Sequence, residues 1–152
     1  MSERVRQWPP GGSAGAHVVD GETCDFLLRL EVLKAQRLRY LLSVVCMDVS
    51  ESQRERAHAE TVVERAAPTI RSTDVMVMQT GSCVAFLLID ADSISLSGIV
   101  ARVAVALSDI PWSAGGACYP ETAGSAKELL NQANTMMASA KRSGDHRFHL
   151  AK

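Results

Sequence analysis

Much that would announce a function is missing from these 152 residues. Acidic and basic side chains nearly cancel, leaving a formal net charge of -1. That offers no electrostatic footprint for a nucleic-acid polymer or an anionic membrane. No apolar run approaches the ~20 residues of a spanning helix, and the N-terminus lacks a signal-peptide core. Membrane insertion is therefore not expected, and the cytoplasm is the expected compartment. Cys24, Cys46, Cys83 and Cys118 are scattered without metal-ligand spacing, and three of them lie in apolar strand-like settings. They read as buried free thiols rather than zinc ligands or disulfides, and no metal or cofactor is expected. His17, His58, His146 and His149 join no Asp/His/Ser or His/Cys set and read as surface residues. The length suits one core and is too short for two comfortable domains.

What is present is an alternation of helical and strand-like patterns. Residues 1 to 22, with the run Pro9-Pro10-Gly11-Gly12-Ser13-Ala14-Gly15, hold too little apolar area to offset ordering and predict a flexible tail before a domain over 23–152. From Cys24 to about Arg39, Phe26, Leu30 and Leu33 recur at helical spacing and predict a helix with that face on a sheet. Leu41 to Val49 is a nearly continuous apolar run, as expected of a central strand covered on both sides. Glu51 to about Ile70 is polar and helical, stopped or kinked near Pro68. Val75–Met78 and Cys83–Ile89 read as strands joined by a turn at Gln79–Ser82. Ser93–Ser108 reads as a helix with Ile99, Val103 and Leu107 on one stripe. Strand 113–119, helix 125–142 and strand 147–150 follow. The class is α/β, a mixed central sheet flanked by helices. Met136 and Met137 read as core filling under the last helix, and Gly115-Gly116 as a packing feature of a strand.

Several segments in this order resemble the GGDEF family, whose members condense two GTP molecules into cyclic di-GMP. Leu41–Asp48 resembles the first family strand, which ends in a metal-binding Asp. Arg71-Ser72-Thr73-Asp74 resembles the family's Arg-x-x-Asp motif, and Thr80-Gly81-Ser82-Cys83-Val84 stands in the place of the Gly-Gly-Asp/Glu-Glu-Phe signature. Trp112–Pro120 is similar to the late family strand. Ser125–Leu130, Ala133-Asn134 and Ala140–Gly144 are similar to the last helix. The resemblance runs from about Cys24 to Leu150 and implies a nucleotide-cyclase-like fold.

It also implies lost chemistry. Phosphoryl transfer between two triphosphates needs divalent metals held by hard oxygen ligands. Asp48 keeps one family carboxylate, but Ser82 replaces the second, and Cys83 replaces the Glu used beside the reacting hydroxyl. The guanine-reading residues after the first strand are absent. Lys141 matches a phosphate-contacting Lys, while Asp145 stands where the family has Arg. The chain therefore reads as a pseudoenzyme, with Asp48 and Lys141 as inherited positions.

The family's inhibitory site is treated differently. Arg71 and Asp74 keep the Arg-x-x-Asp, and Arg102 falls where the family often adds a second Arg. Arg can fork onto phosphate or guanine acceptors and stack on flat rings, and an Asp can accept from guanine N1 and N2. The resemblance thus implies a cyclic di-GMP receptor that takes an intercalated nucleotide dimer and acts on a partner protein or by self-association. Outputs of this kind include exopolysaccharide export, biofilm formation and motility. An Arg-x-x-Asp alone is a weak signal. The alternatives are a solvated Arg71–Asp74 ion pair with Arg102 as surface charge, and a ligand-independent adaptor or dimerisation module.

Overall fold

A computed structural model of the chain describes residues 5–7, 17–19, 21–49, 55–78, 83–144 and 146–152. The strands are β1 (Val5–Gln7), β2 (His17–Val19), β3 (Leu42–Asp48), β4 (Val75–Met78), β5 (Cys83–Ile89), β6 (Ser113–Tyr119) and β7 (Arg147–Leu150). The helices are α1 (Gly21–Leu38), α2 (Glu55–Ala66), α3 (Ser93–Ala106) and α4 (Ala126–Ser143), and a 3-10 turn at Ala67–Thr69 follows α2 around Pro68. The strands form one seven-stranded mixed sheet in the order β1-β2-β4-β5-β3-β6-β7. Pairing is parallel at β2/β4 and β6/β7 and antiparallel elsewhere.

Strand β3 is central, with an antiparallel neighbour on each side. Its side chains alternate between two cores, as the two-residue strand period requires. Val45 and Met47 face a layer that holds α2 and α3, whereas Leu42, Val44 and Cys46 face a layer that holds α1 and α4. Both layers exclude water, which explains why the sequence here is apolar without interruption.

The helices begin where local chemistry starts them. Asp92 caps α3 by accepting from Ser95 N at 2.7 Å. Ser125 caps α4 by accepting from Glu128 N at 3.2 Å; each satisfies an amide that has no partner inside its helix. The predicted stripe of α3 is the buried one, with Ile99, Val103 and Leu107 all in the core. Gly115 lets the α4 backbone approach β6: a Cβ there would lie 2.0 Å from Met137 N.

Two expectations are corrected. Residues 1–22 are not wholly outside the fold, because β1 and β2 extend the sheet beyond β4 and bury Val18 and Val19. Backbone pairing needs no apolar surplus of its own, so composition did not reveal it. The rest of that segment lies outside the described residues, apart from Gly21 and Glu22, which open α1. Second, α1 faces the sheet with Cys24, Leu28, Val32 and Ala35, while Phe26, Leu30 and Leu33 are exposed. The helix has two apolar faces, and the sheet takes the one with the smaller side chains.

Among the described residues, no helix is long and apolar enough to cross a membrane. All four cysteines are free thiols, three of them buried and Cys83 half-buried. Met136 and Met137 pack partly buried against the α1/α4 core.

Candidate functional site

Two clusters hold the residues singled out from the sequence. The first lies at the end of β3. Register places Cys83 of β5 and Ser113 of β6 on either side of Asp48, and the strand period turns Asp48 toward the layer that carries α4. The last turn of α4 brings Lys141 across, and Lys141 Nζ donates to Asp48 Oδ2 at 2.9 Å. Cys83 Sγ lies 3.6 Å from Met137 Sδ. Desolvation pushes the Cys83 thiol up to about 11; the charge of Asp48 adds to the rise and Lys141 opposes it. The described side chains of this cluster do not by themselves fit a hard divalent cation. Asp48 supplies one carboxylate, already engaged by Lys141, and its strand neighbours are a thiol and a hydroxyl. Among the described residues no group of three metal-ligating side chains forms. Thr80, Gly81, Ser82 and Asp145 lie outside the described residues, as does the turn from Gln79; Cys83 and Val84 open β5, with Val84 in the core.

The second cluster is where the chain enters β4. Arg71 and Asp74 close a turn in which Asp74 N donates to Arg71 O at 3.0 Å. The Asp74 carboxylate is 1% exposed and fully engaged. Its Oδ1 accepts from Ile89 N at 2.8 Å, and its Oδ2 accepts from Arg71 Nε at 3.2 Å. Arg71 Nη2 also donates to the Ile89 carbonyl. Burial raises the pKa of Asp74, while the Ile89 amide and the Arg71 guanidinium hold it down. The pair is therefore not the solvated one that sequence reading allowed. Asp74 is an interior anchor, and Arg71 is the half-exposed member, 53% accessible at its side chain. Arg102 is exposed on α3 and makes no hydrogen bond or ion pair with the described residues. Ile89 went unseen in the sequence because it acts through its backbone, which any residue type supplies.

No protein-family model matches the chain, and no curated protein matches its sequence. Solved structures do match. The GGDEF domain of YfiN (TpbB) from Pseudomonas aeruginosa superposes with a TM-score of 0.78 at 22% identity, over 88% of this chain and 96% of that one. The chain has the GGDEF fold. The active GGEEF domain of a diguanylate cyclase from Vibrio cholerae also matches with a TM-score of 0.78, at 13% identity over 86% of this chain and 96% of its own. A microbial GGDEF domain whose structure describes an interaction with cyclic di-GMP matches at 0.74, with 20% identity over 87% and 93% of the two chains.

These neighbours include an active cyclase and a cyclic di-GMP complex, so the fold hosts both a reaction and a ligand. At such identities, which of these a GGDEF fold performs rests on its own side chains.

The histidines stay outside both clusters where they are described. His146 packs its ring 5.5 Å from that of Trp112 and engages the Ile110 carbonyl through Nε2 at 2.8 Å. His149 Nδ1 meets Ser139 Oγ at 3.0 Å. A groove of about 430 Å³ between α3 and the β6–β7 end is lined by Val100, Ala104, Trp112, His146 and Phe148, and includes none of the site residues.

Proposed function

We propose that this chain is a catalytically inactive GGDEF-like domain that binds cyclic di-GMP through Arg71 and Arg102, with Asp74 positioning Arg71, and relays the nucleotide's presence to a partner. The observation that carries the reading is the contrast between the two clusters. At the old catalytic position the inherited charges neutralise each other, Lys141 against Asp48. At the inhibitory position Arg71 is anchored from behind by Asp74 and the Ile89 carbonyl, yet remains half exposed. A guanidinium already held in place loses less freedom when a phosphate or guanine docks on it. In this arrangement Arg71 and Arg102 touch the ligand, and Asp74 sets the orientation of Arg71.

Neighbouring structures support the ligand class. A GGDEF domain of DgcB from Caulobacter crescentus was solved with cyclic di-GMP, and the diguanylate cyclase SiaD was solved with its activator protein SiaC. The ligand here would be an intercalated nucleotide dimer, and the output would be self-association or docking to a cytoplasmic protein that controls exopolysaccharide, biofilm or motility.

Titration calorimetry of cyclic di-GMP into the protein and into Arg71→Ala, with GTP and magnesium as control, tests the proposal. Micromolar or tighter binding with about two nucleotides per site, lost in the variant, is the expected result. A binder also gains RT ln(1 + [L]/Kd) in unfolding free energy. Absence of heat and of thermal shift rejects the receptor. The engagement of both Asp74 oxygens inside the protein favours a second reading in that event, a ligand-independent adaptor that keeps the fold for its surface. Formation of cyclic di-GMP from GTP would overturn both.

A further inference from the structure

Helix α1 has two apolar faces, and the sheet uses only one. The other presents Phe26, Leu30 and Leu33, which are 59%, 39% and 62% exposed. At about 100° per residue these three fall within an arc of about 60°. Glu22 and Arg37 extend the same line at its two ends. Read along the helix, the line is acid, Phe, Leu, Leu, base. It is complementary to its own reverse: the midpoint between Arg29 and Leu30 is equidistant in sequence from Phe26 and Leu33, and likewise from Glu22 and Arg37.

We propose that a second copy of this chain covers this face, the two α1 helices packing antiparallel about a two-fold axis. Phe26 of each copy then meets Leu33 of the other, and Glu22 faces Arg37, as an isologous contact requires. Parallel packing would set Glu22 on Glu22 and Arg37 on Arg37, so the charges select the antiparallel arrangement. It also places each helix's positive end beside the other's negative end. With 18 residues, α1 is about 27 Å long. A contact between two single helices of that length falls at or below the ~1,200 Å² of stable specific interfaces, which makes the dimer reversible. Helix α1 shares its layer with α4, opposite α2 and α3. Arg102 thus stays clear of the contact, and the dimer forms without nucleotide.

Sedimentation velocity on the full chain, over a concentration series and without nucleotide, tests the proposal. The expected result is a concentration-dependent dimer that Leu33→Glu reduces to monomer. Glu22→Arg and Arg37→Glu each weaken it about tenfold, since two exposed pairs are lost per dimer. Mixing those two variants in equal amounts restores association, because their heterodimer pairs opposite charges at both ends. A wild type that stays monomeric up to about 1 mM overturns the proposal. So does a dimer indifferent to Leu33→Glu, or one that the charge variants weaken but their mixture does not recover.

Discussion

Asp74 Oδ1 accepts the backbone N–H of Ile89 at 2.8 Å, tying the residue that precedes β4 to the last residue of β5. The same carboxylate holds Arg71 through its other oxygen. One buried side chain thus fixes a strand pair and orients an exposed cation.

Asp74→Ala leaves the Ile89 amide without its partner and should cost about 1–3 kcal/mol in urea unfolding. Asp74→Asn keeps an acceptor for Ile89 but loses the charge that holds Arg71, so its cost is smaller. Under the receptor proposal both variants weaken cyclic di-GMP binding while Arg71 is still present, and calorimetry reads that loss.

The pH dependence of this anchor has a definite sign. Burial raises the Asp74 pKa above its usual 3.8, so the folded protein holds the proton more tightly than the unfolded chain. The stabilisation linked to that proton is present at pH below 3.8 and is lost as pH rises through the folded pKa. Comparing Asp74→Asn with wild type isolates it. The difference in unfolding free energy should favour wild type more at pH 4 than at pH 7; an unchanged difference would mean that Asp74 is not shifted upward.

Gly115 and Gly116 should respond differently to Ala. At Gly115 the new Cβ would meet backbone, 2.0 Å from Met137 N and 2.4 Å from Ala133 O, so α4 must move away from β6. A loss of about 3 kcal/mol or more is expected. At Gly116 the nearest atoms are the ends of the Leu96 and Phe148 side chains, at 2.9 and 3.0 Å. These can rotate, and about 1–2 kcal/mol is expected. Thermal unfolding of the two variants gives the order.

Cys83 reports on the cluster it forms with Asp48 and Lys141. With its thiol pushed up to about 11, only about a thousandth is thiolate at pH 8. Alkylation by iodoacetamide should be slow, should reach Cys83 before the three buried cysteines, and should quicken about tenfold per pH unit. Asp48→Asn removes a charge that raises this pKa and should speed the reaction. Lys141→Ala removes one that lowers it and should slow the reaction. Mass spectrometry at fixed times separates these outcomes.

Strand limits were legible in the residues, because apolar runs bounded by polar or turn residues are a local signal. Val75–Met78 and Cys83–Ile89 appear with the limits that the pattern indicates, and the strands expected at Ser113–Tyr119 and Arg147–Leu150 are present with those limits. Chain pattern failed where two local solutions were equally good. Helix α1 carries two apolar stripes, and periodicity alone cannot say which one the sheet takes. It failed also for β1 and β2, whose place in the sheet rests on backbone pairing rather than on apolar content.

By itself, the sequence determined the alternating α/β architecture and the central position of Leu42–Asp48, since each depends on residue type and order alone. Only the tertiary structure decided that Lys141 would close on Asp48 across 93 positions of chain. It likewise decided that Asp74 would be an interior anchor rather than an exposed partner of Arg71. The physical reason is common to both: a side chain's protonation, exposure and partners depend on what the fold brings within a few ångströms, and those neighbours are remote in sequence.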